Sequence, residues 1–103
     1  ALPTREDDFK PRHKLNDLNL VEAFLWDEET FLRKTSGSAI RRIGYVLWLR
    51  NLAVALGNAP TCEEIVSALR FRLNFPSALV REHVEWALMQ HKIRETKNAE
   101  YQN

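Results

Sequence analysis

Tyr45-Val46-Leu47-Trp48-Leu49-Arg50-Asn51-Leu52-Ala53-Val54-Ala55-Leu56 is the stretch that decides the fold class. It is apolar almost all round, and a helix of that kind belongs at the centre of a domain, where every face meets another apolar surface. Gly44 interrupts the chain just before it, and Gly57-Asn58 reads as its C-terminal stop. Nowhere in the chain does strict apolar–polar alternation appear, so no sheet is expected.

Upstream, a first helix is expected from about Leu18 to Leu25, with Asn16 or Asp17 as N-cap and Leu18, Val21, Phe24 and Leu25 near one face. A short second helix, about Glu28 to Lys34, has Asp27 as N-cap and Trp26 placed to staple onto Phe31. Glu28 and Glu29 in its first turn and Arg33 and Lys34 in its last complement the helix dipole. Thr35-Ser36-Gly37-Ser38 ends it, and Ser38 caps a third helix over Ala39 to Ile43. Downstream of the central helix, Pro60 precedes Thr61-Cys62-Glu63-Glu64, a capping box with Thr61 at N-cap and Glu64 at N3. A fifth helix then runs to about Leu73, turning Ile65, Val66, Leu69 and Leu73 inward. Asn74-Phe75-Pro76-Ser77 breaks it. A sixth helix, about Ala78 to Arg94, keeps Val80, Val84, Ala87, Leu88 and His91 on one stripe.

The expectation is an all-α domain of about six short helices joined by short links. It covers residues 16–95, after a polar, proline-containing arm over 1–15 that Phe9 can anchor, and before a frayed tail over 96–103. Leu49-Arg50-Asn51-Leu52-Ala53 and Val80-Arg81-Glu82-His83-Val84 line up 31 residues apart. Both fit the hydrophobic-Arg-x-x-small pattern of HEAT-type repeats, which suggests HEAT-like antiparallel helix pairs, although the spacing is shorter than the usual period of about 40–47. Two core helices sharing an amphipathic pattern account for it equally well.

With 103 residues the chain fits one domain, and it opens with Ala1 in a polar stretch, as a piece of something longer does. Its single cysteine, Cys62, cannot form an internal disulfide or hold an iron–sulfur cluster or structural zinc. No apolar run approaches a membrane span, and no signal-peptide core opens the chain, so a cytosolic, monomeric domain is expected. Candidate chemistry is sparse. His83 and His91 are eight residues apart and cannot share a metal ion. Ser36 and Ser38 lack a nucleophile-elbow context, Gly37 and Gly44 are too isolated for a phosphate loop, and adjacent acids such as Glu28-Glu29 point apart. Trp26, Trp48 and Trp86, at helical spacing, are expected in the core.

Charge distribution is more informative than the net charge of +1. Residues 30–62 carry Arg33, Lys34, Arg41, Arg42 and Arg50 and no Asp or Glu, a local positive source in a nearly neutral protein. On the central helix Asn51 and Asn58 share a stripe, with Arg50 one position round. Arg, Asn and turn N–H groups are the usual tools for gripping phosphate and sugar. Buried backbone that needs hydrogen bonds explains the same residues equally well.

Gly37-Ser38-Ala39-Ile40-Arg41-Arg42-Ile43-Gly44, followed by Trp48 through Ala59, resembles a stretch of epoxyqueuosine reductases. So do Glu6-Asp7-Asp8-Phe9, Pro11-Arg12 and Glu82-His83-Val84-Glu85-Trp86-Ala87. The resemblance covers roughly residues 4–92 and fits the C-terminal part of that enzyme; the tail after Lys92 matches nothing in it. It implies a HEAT-like domain helping to hold tRNA, at the anticodon stem-loop, while missing N-terminal catalytic and iron–sulfur domains reduce epoxyqueuosine to queuosine. Those domains would carry cobalamin and two 4Fe–4S clusters. This chain, starting just past the last cluster motif, is then expected to be colourless, without cofactor, and inactive by itself. Joined to the charge argument, the resemblance singles out Arg41, Arg42, Arg50 and Asn51 for RNA-backbone contacts, with Lys34 and Asn58 next. Two rival roles remain: docking on the iron–sulfur domain of the same enzyme, or a HEAT-like protein–protein adaptor.

Overall fold

The computed structural model describes residues 18–102, all of whose regular structure is helical. The expected arm, its Phe9 anchor and the Asn16 or Asp17 cap lie outside the described residues. In chain order the elements are α1 (18–24), α2 (Glu28–Lys34), a 3-10 turn (Ala39–Ile43), α3 (Tyr45–Asn58), α4 (Glu63–Phe71) and α5 (Ala78–Gln102). The fold is all-α.

Local chemistry sets most of the boundaries. Asp27 caps α2 by accepting a hydrogen bond from the Thr30 backbone N–H at 2.8 Å. The Thr30 hydrogen bonds, side chain and backbone, hold its carboxyl below the ordinary aspartate range. Ser38 caps the next segment through the Ile40 N–H at 3.1 Å, but that segment winds as a 3-10 turn rather than an α-helix. Gly44, at φ 88°, turns the chain from it into α3, a conformation that L side chains rarely adopt. The space around its Cβ position is open, so the requirement there is purely conformational.

α3 lies at the centre, packed against α2, the 3-10 turn, α4 and, most extensively, α5. Leu49, Ala53 and Leu56 of α3 are fully buried with Phe24, Phe31, Ile65, Leu69, Val80, Val84 and Ala87. Burying each large aliphatic or aromatic side chain contributes about 1.5–3 kcal/mol. Leu18 of α1 and Leu25 just after it stay exposed, so only Phe24 and Val21 of the expected apolar face pack on the core. Trp26 does its stapling through an intermediary. Its ring stacks on Trp48, centroids 5.7 Å apart, and Trp48 in turn lies 5.3 Å from Phe31.

Four boundaries differ from expectation, each for a tertiary reason or from helix continuity. α3 does not stop at Gly57 but runs through it to Asn58. A Cβ on Gly57 would lie 2.5 Å from Trp86 Cζ3 and 2.9 Å from Ala87 Cβ, so at this glycine α5 packs too close to α3 for a side chain. α4 ends at Phe71 rather than Leu73. α5 continues past Arg94 to Gln102 as one helix of 25 residues. And Thr61 is not the cap of α4. Cys62 takes that position without a side-chain cap bond, while the Thr61 hydroxyl lies 2.7 Å from His91 Nδ1.

His91, 1% exposed, explains the diversion. Its Nε2 lies 2.8 Å from the Leu56 carbonyl, which only accepts, so Nε2 carries the hydrogen and Nδ1 accepts from Thr61 Oγ1. Arg94 Nη1 also reaches Nδ1, at 3.2 Å, and donates to the Ala59 carbonyl at 3.1 Å. α5 thereby ties down the end of α3 and the link to α4. Thr61→Val, which keeps shape and removes the hydroxyl, is expected to lower unfolding free energy by about 1 kcal/mol. The same change made on a His91→Phe background should cost nearly nothing. Denaturant unfolding of the four proteins checks this coupling, and additive losses would assign Thr61 to another partner.

Candidate functional site

The six residues expected to contact RNA fall into three places. Arg41 and Arg42 end the 3-10 turn, both exposed, and with Gly37, Ser38 and Ala39 they line a shallow depression of about 420 Å³. Gly37 at φ 78° and Gly44 at φ 88° flank this corner, and both arginines line the depression with no carboxylate among its lining residues. Lys34 stands apart from them. Its ammonium sits 5.9 Å from the centroid of the Trp26 ring, a cation–π contact at the end of α2.

Arg50, Asn51 and Asn58 lie on α3 away from the core. Asn51 and Asn58 are exposed and, seven residues apart, share the outer face. Arg50 sits on the flank that turns toward α5 and is half-buried. Its Nε is fully shielded from solvent and has no hydrogen-bond partner. A buried N–H of this kind costs about 1–3 kcal/mol when left unpaired. One turn on, Val54 joins Glu82, His83 and Trp86 of α5 in a groove of about 380 Å³. Trp86 is therefore not core, as its helical spacing suggested, but 38% exposed.

Sequence reasoning missed Arg72. It follows α4 and is 9% exposed. Its Nε and Nη2 donate to the Phe24 carbonyl at 3.2 and 3.0 Å, and Nη2 donates to the Trp26 carbonyl at 2.9 Å and to Tyr45 Oη at 3.2 Å. The Tyr45 hydroxyl itself donates to the Trp26 carbonyl. Burial pushes the Tyr45 pKa up, which keeps that donor protonated. The guanidinium satisfies the C-terminal end of α1, where carbonyls and the helix dipole present negative charge. Nothing in Arg70-Phe71-Arg72-Leu73 distinguishes this arginine from its exposed neighbour Arg70. Arg72 is a structural clamp, whereas Arg33, Lys34, Arg41, Arg42 and Arg70 stay exposed.

Among the described residues no three His, Cys, Asp or Glu side chains are grouped so as to hold a metal ion, and no helix is long and apolar enough to cross a membrane. Cys62 is a free, half-buried thiol.

Fold and site together define an all-helical domain with a central apolar helix, a basic corner and a grooved outer face. The chain is 59% identical over 91 residues to an epoxyqueuosine reductase of Pseudomonas aeruginosa, a match over 88% of this chain and 25% of that protein. It is 56% identical over 91 residues to the epoxyqueuosine reductase of Xanthomonas campestris, with 88% of this chain and 26% of the relative covered. To that of Escherichia coli K12 it is 54% identical over 87 residues, 84% of this chain and 23% of the relative. The chain is homologous to a part of epoxyqueuosine reductase and spans about a quarter of the length of these relatives. No family model and no solved structure matches it.

Proposed function

We propose that this chain is the C-terminal, HEAT-like domain of a cytosolic epoxyqueuosine reductase-type enzyme, and that it holds the anticodon stem-loop of tRNA while the rest of the enzyme reduces epoxyqueuosine to queuosine there. Cobalamin and the two 4Fe–4S clusters belong to the remaining three quarters of such an enzyme, since one cysteine cannot ligate a cluster. The pairing of α3 with α5, with α4 packed alongside, supports stacked helix pairs of HEAT type. The observation that carries the RNA reading is the Arg41–Arg42 corner. It holds two exposed guanidinium groups in a window of residues 30–62 that contains no acid. Guanidinium groups so placed suit phosphate, which they engage bidentately.

The test is binding of a fluorescent tRNA anticodon stem-loop across a salt series. Arg41→Ala/Arg42→Ala is expected to weaken binding about tenfold at low salt. It should also make the dependence of log K on log salt shallower by roughly 1.4–1.8, the share of two phosphates at about 0.7–0.9 each. No binding by the parent chain at low salt would sink the RNA grip. The exposed apolar side chains of Val46 on α3 and Ile43 just before it favour one second reading, in which α3 docks on the catalytic and iron–sulfur domains. That reading expects the Arg pair to be silent toward RNA, and Arg50→Ala to weaken association with those domains.

A further inference from the structure

We propose that the groove between α3 and α5 seats one unstacked base of single-stranded RNA on the Trp86 ring, with guanine preferred; this rests on the RNA-binding reading above. Three features of the groove carry the proposal. The first is the platform. Trp26 and Trp48 stack on each other against the core, whereas Trp86 has no aromatic partner among the described residues and remains 38% exposed. Gly57 lets that ring lie against the α3 backbone, since any Cβ there would meet Trp86 Cζ3 at 2.5 Å. A partly exposed indole lining a groove offers a stacking surface, and the groove of about 380 Å³ falls in the size range of small-ligand sites.

The second feature is the polar edge. Glu82, an acceptor when ionised, lines the groove beside Trp86. A carboxylate on an RNA-facing surface repels phosphate and is useful there only by accepting from donors. Guanine presents adjacent N1–H and N2–H2 donors, which pair with both carboxylate oxygens; adenine, uracil and cytosine do not present that pair. His83 Nδ1 is committed to the Leu79 carbonyl at 2.8 Å, which leaves Nε2 as the ring's free polar atom. The third is the neighbouring cation. Arg50, one turn before Val54 on α3, is half-buried with its Nε shielded from solvent, which leaves its terminal Nη atoms to meet an adjoining phosphate.

The experiment uses the whole 103-residue chain and labelled seven-nucleotide RNAs, uridine except at the centre, which is guanosine, adenosine or abasic. Fluorescence anisotropy at low salt is expected to show the guanosine oligonucleotide bound about tenfold more tightly than the abasic one, the range of one stacked base. Trp86→Leu should reduce the guanosine affinity to the abasic value and leave the abasic value unchanged. Glu82→Gln, an exposed change that keeps the fold even if Trp86→Leu does not, should abolish the preference for guanosine over adenosine. Equal affinity for guanosine and abasic RNA overturns the base site while leaving the phosphate grip standing. A preference that survives both variants places the base elsewhere and overturns it too. No binding to any of the RNAs overturns the RNA reading itself, and the base site with it.

Discussion

Arg72→Met is expected to destabilise the domain by about 3 kcal/mol, a fall in melting temperature of roughly 10–20 °C. The methionine keeps the apolar stem and loses the fork. With the fork gone, the Phe24 carbonyl at the end of α1 loses the partner that holds it at 3.0–3.2 Å from two nitrogens, while the Trp26 carbonyl keeps the Tyr45 hydroxyl. One orphaned buried acceptor costs about 1–3 kcal/mol, and hydrogen bonds from a charged donor are worth about 1.5–3 kcal/mol each. Against that, removing a buried cation recovers part of its desolvation cost. The recovery is limited here because the cation is well compensated. It lies at a helix C-terminus and 5.1–5.9 Å from the ring centroids of Phe24, Phe71 and Phe75. Arg72→Lys should restore less than half of the loss, since one ammonium cannot span the positions of Nε and Nη2. Thermal melts of the three proteins decide it, and a methionine variant melting within about 2 °C of the parent would show that α1 holds its place without the clamp.

Gly57→Ala sets helix propensity against packing. In an isolated helix alanine is favoured over glycine by about 1 kcal/mol. In this helix the new methyl would lie 2.5 Å from Trp86 Cζ3, 2.9 Å from Ala87 Cβ and 3.0 Å from Ala87 Cα. The Trp86 ring is partly exposed and can swing aside. Ala87 Cα is backbone in the middle of α5 and can yield only if the two helices separate, and overpacking of that kind costs about 1–3 kcal/mol. Packing outweighs propensity, so a net loss of up to about 2 kcal/mol is expected. Trp86→Leu on the same background should relieve only part of it, because the contact with Ala87 remains. Chemical denaturation measures the balance, and a net gain in stability would mean that α3 and α5 stand further apart than these distances require.

Periodicity and end chemistry, read without any tertiary information, already determine where the helices lie. The apolar run around Leu49 and Leu52, the Asp27 and Ser38 caps, and the Val80–His91 stripe all depend on neighbours within a turn or two. Backbone hydrogen bonding and side-chain spacing within a helix are local, so their signals survive in the sequence alone. The basic corner was legible for a similar reason, because a window without acids is a property of composition. What only the tertiary structure decided are the roles of Gly57, Thr61, Arg72, Arg50 and Trp86. As a sequence element Gly57 reads as a helix stop, and folding turns it into a point where α5 leaves no room for a side chain. Thr61 reads as a cap, and a histidine 30 residues away takes its hydroxyl. Arg72 carries no distinguishing signal in the sequence and becomes a buried clamp on carbonyls 46 and 48 residues distant. Each of these depends on which atoms the packing of α3 against α5, or of α1 against the end of α4, brings within about 3 Å, and a hydrogen bond or a steric contact at that range leaves no periodic trace in the chain.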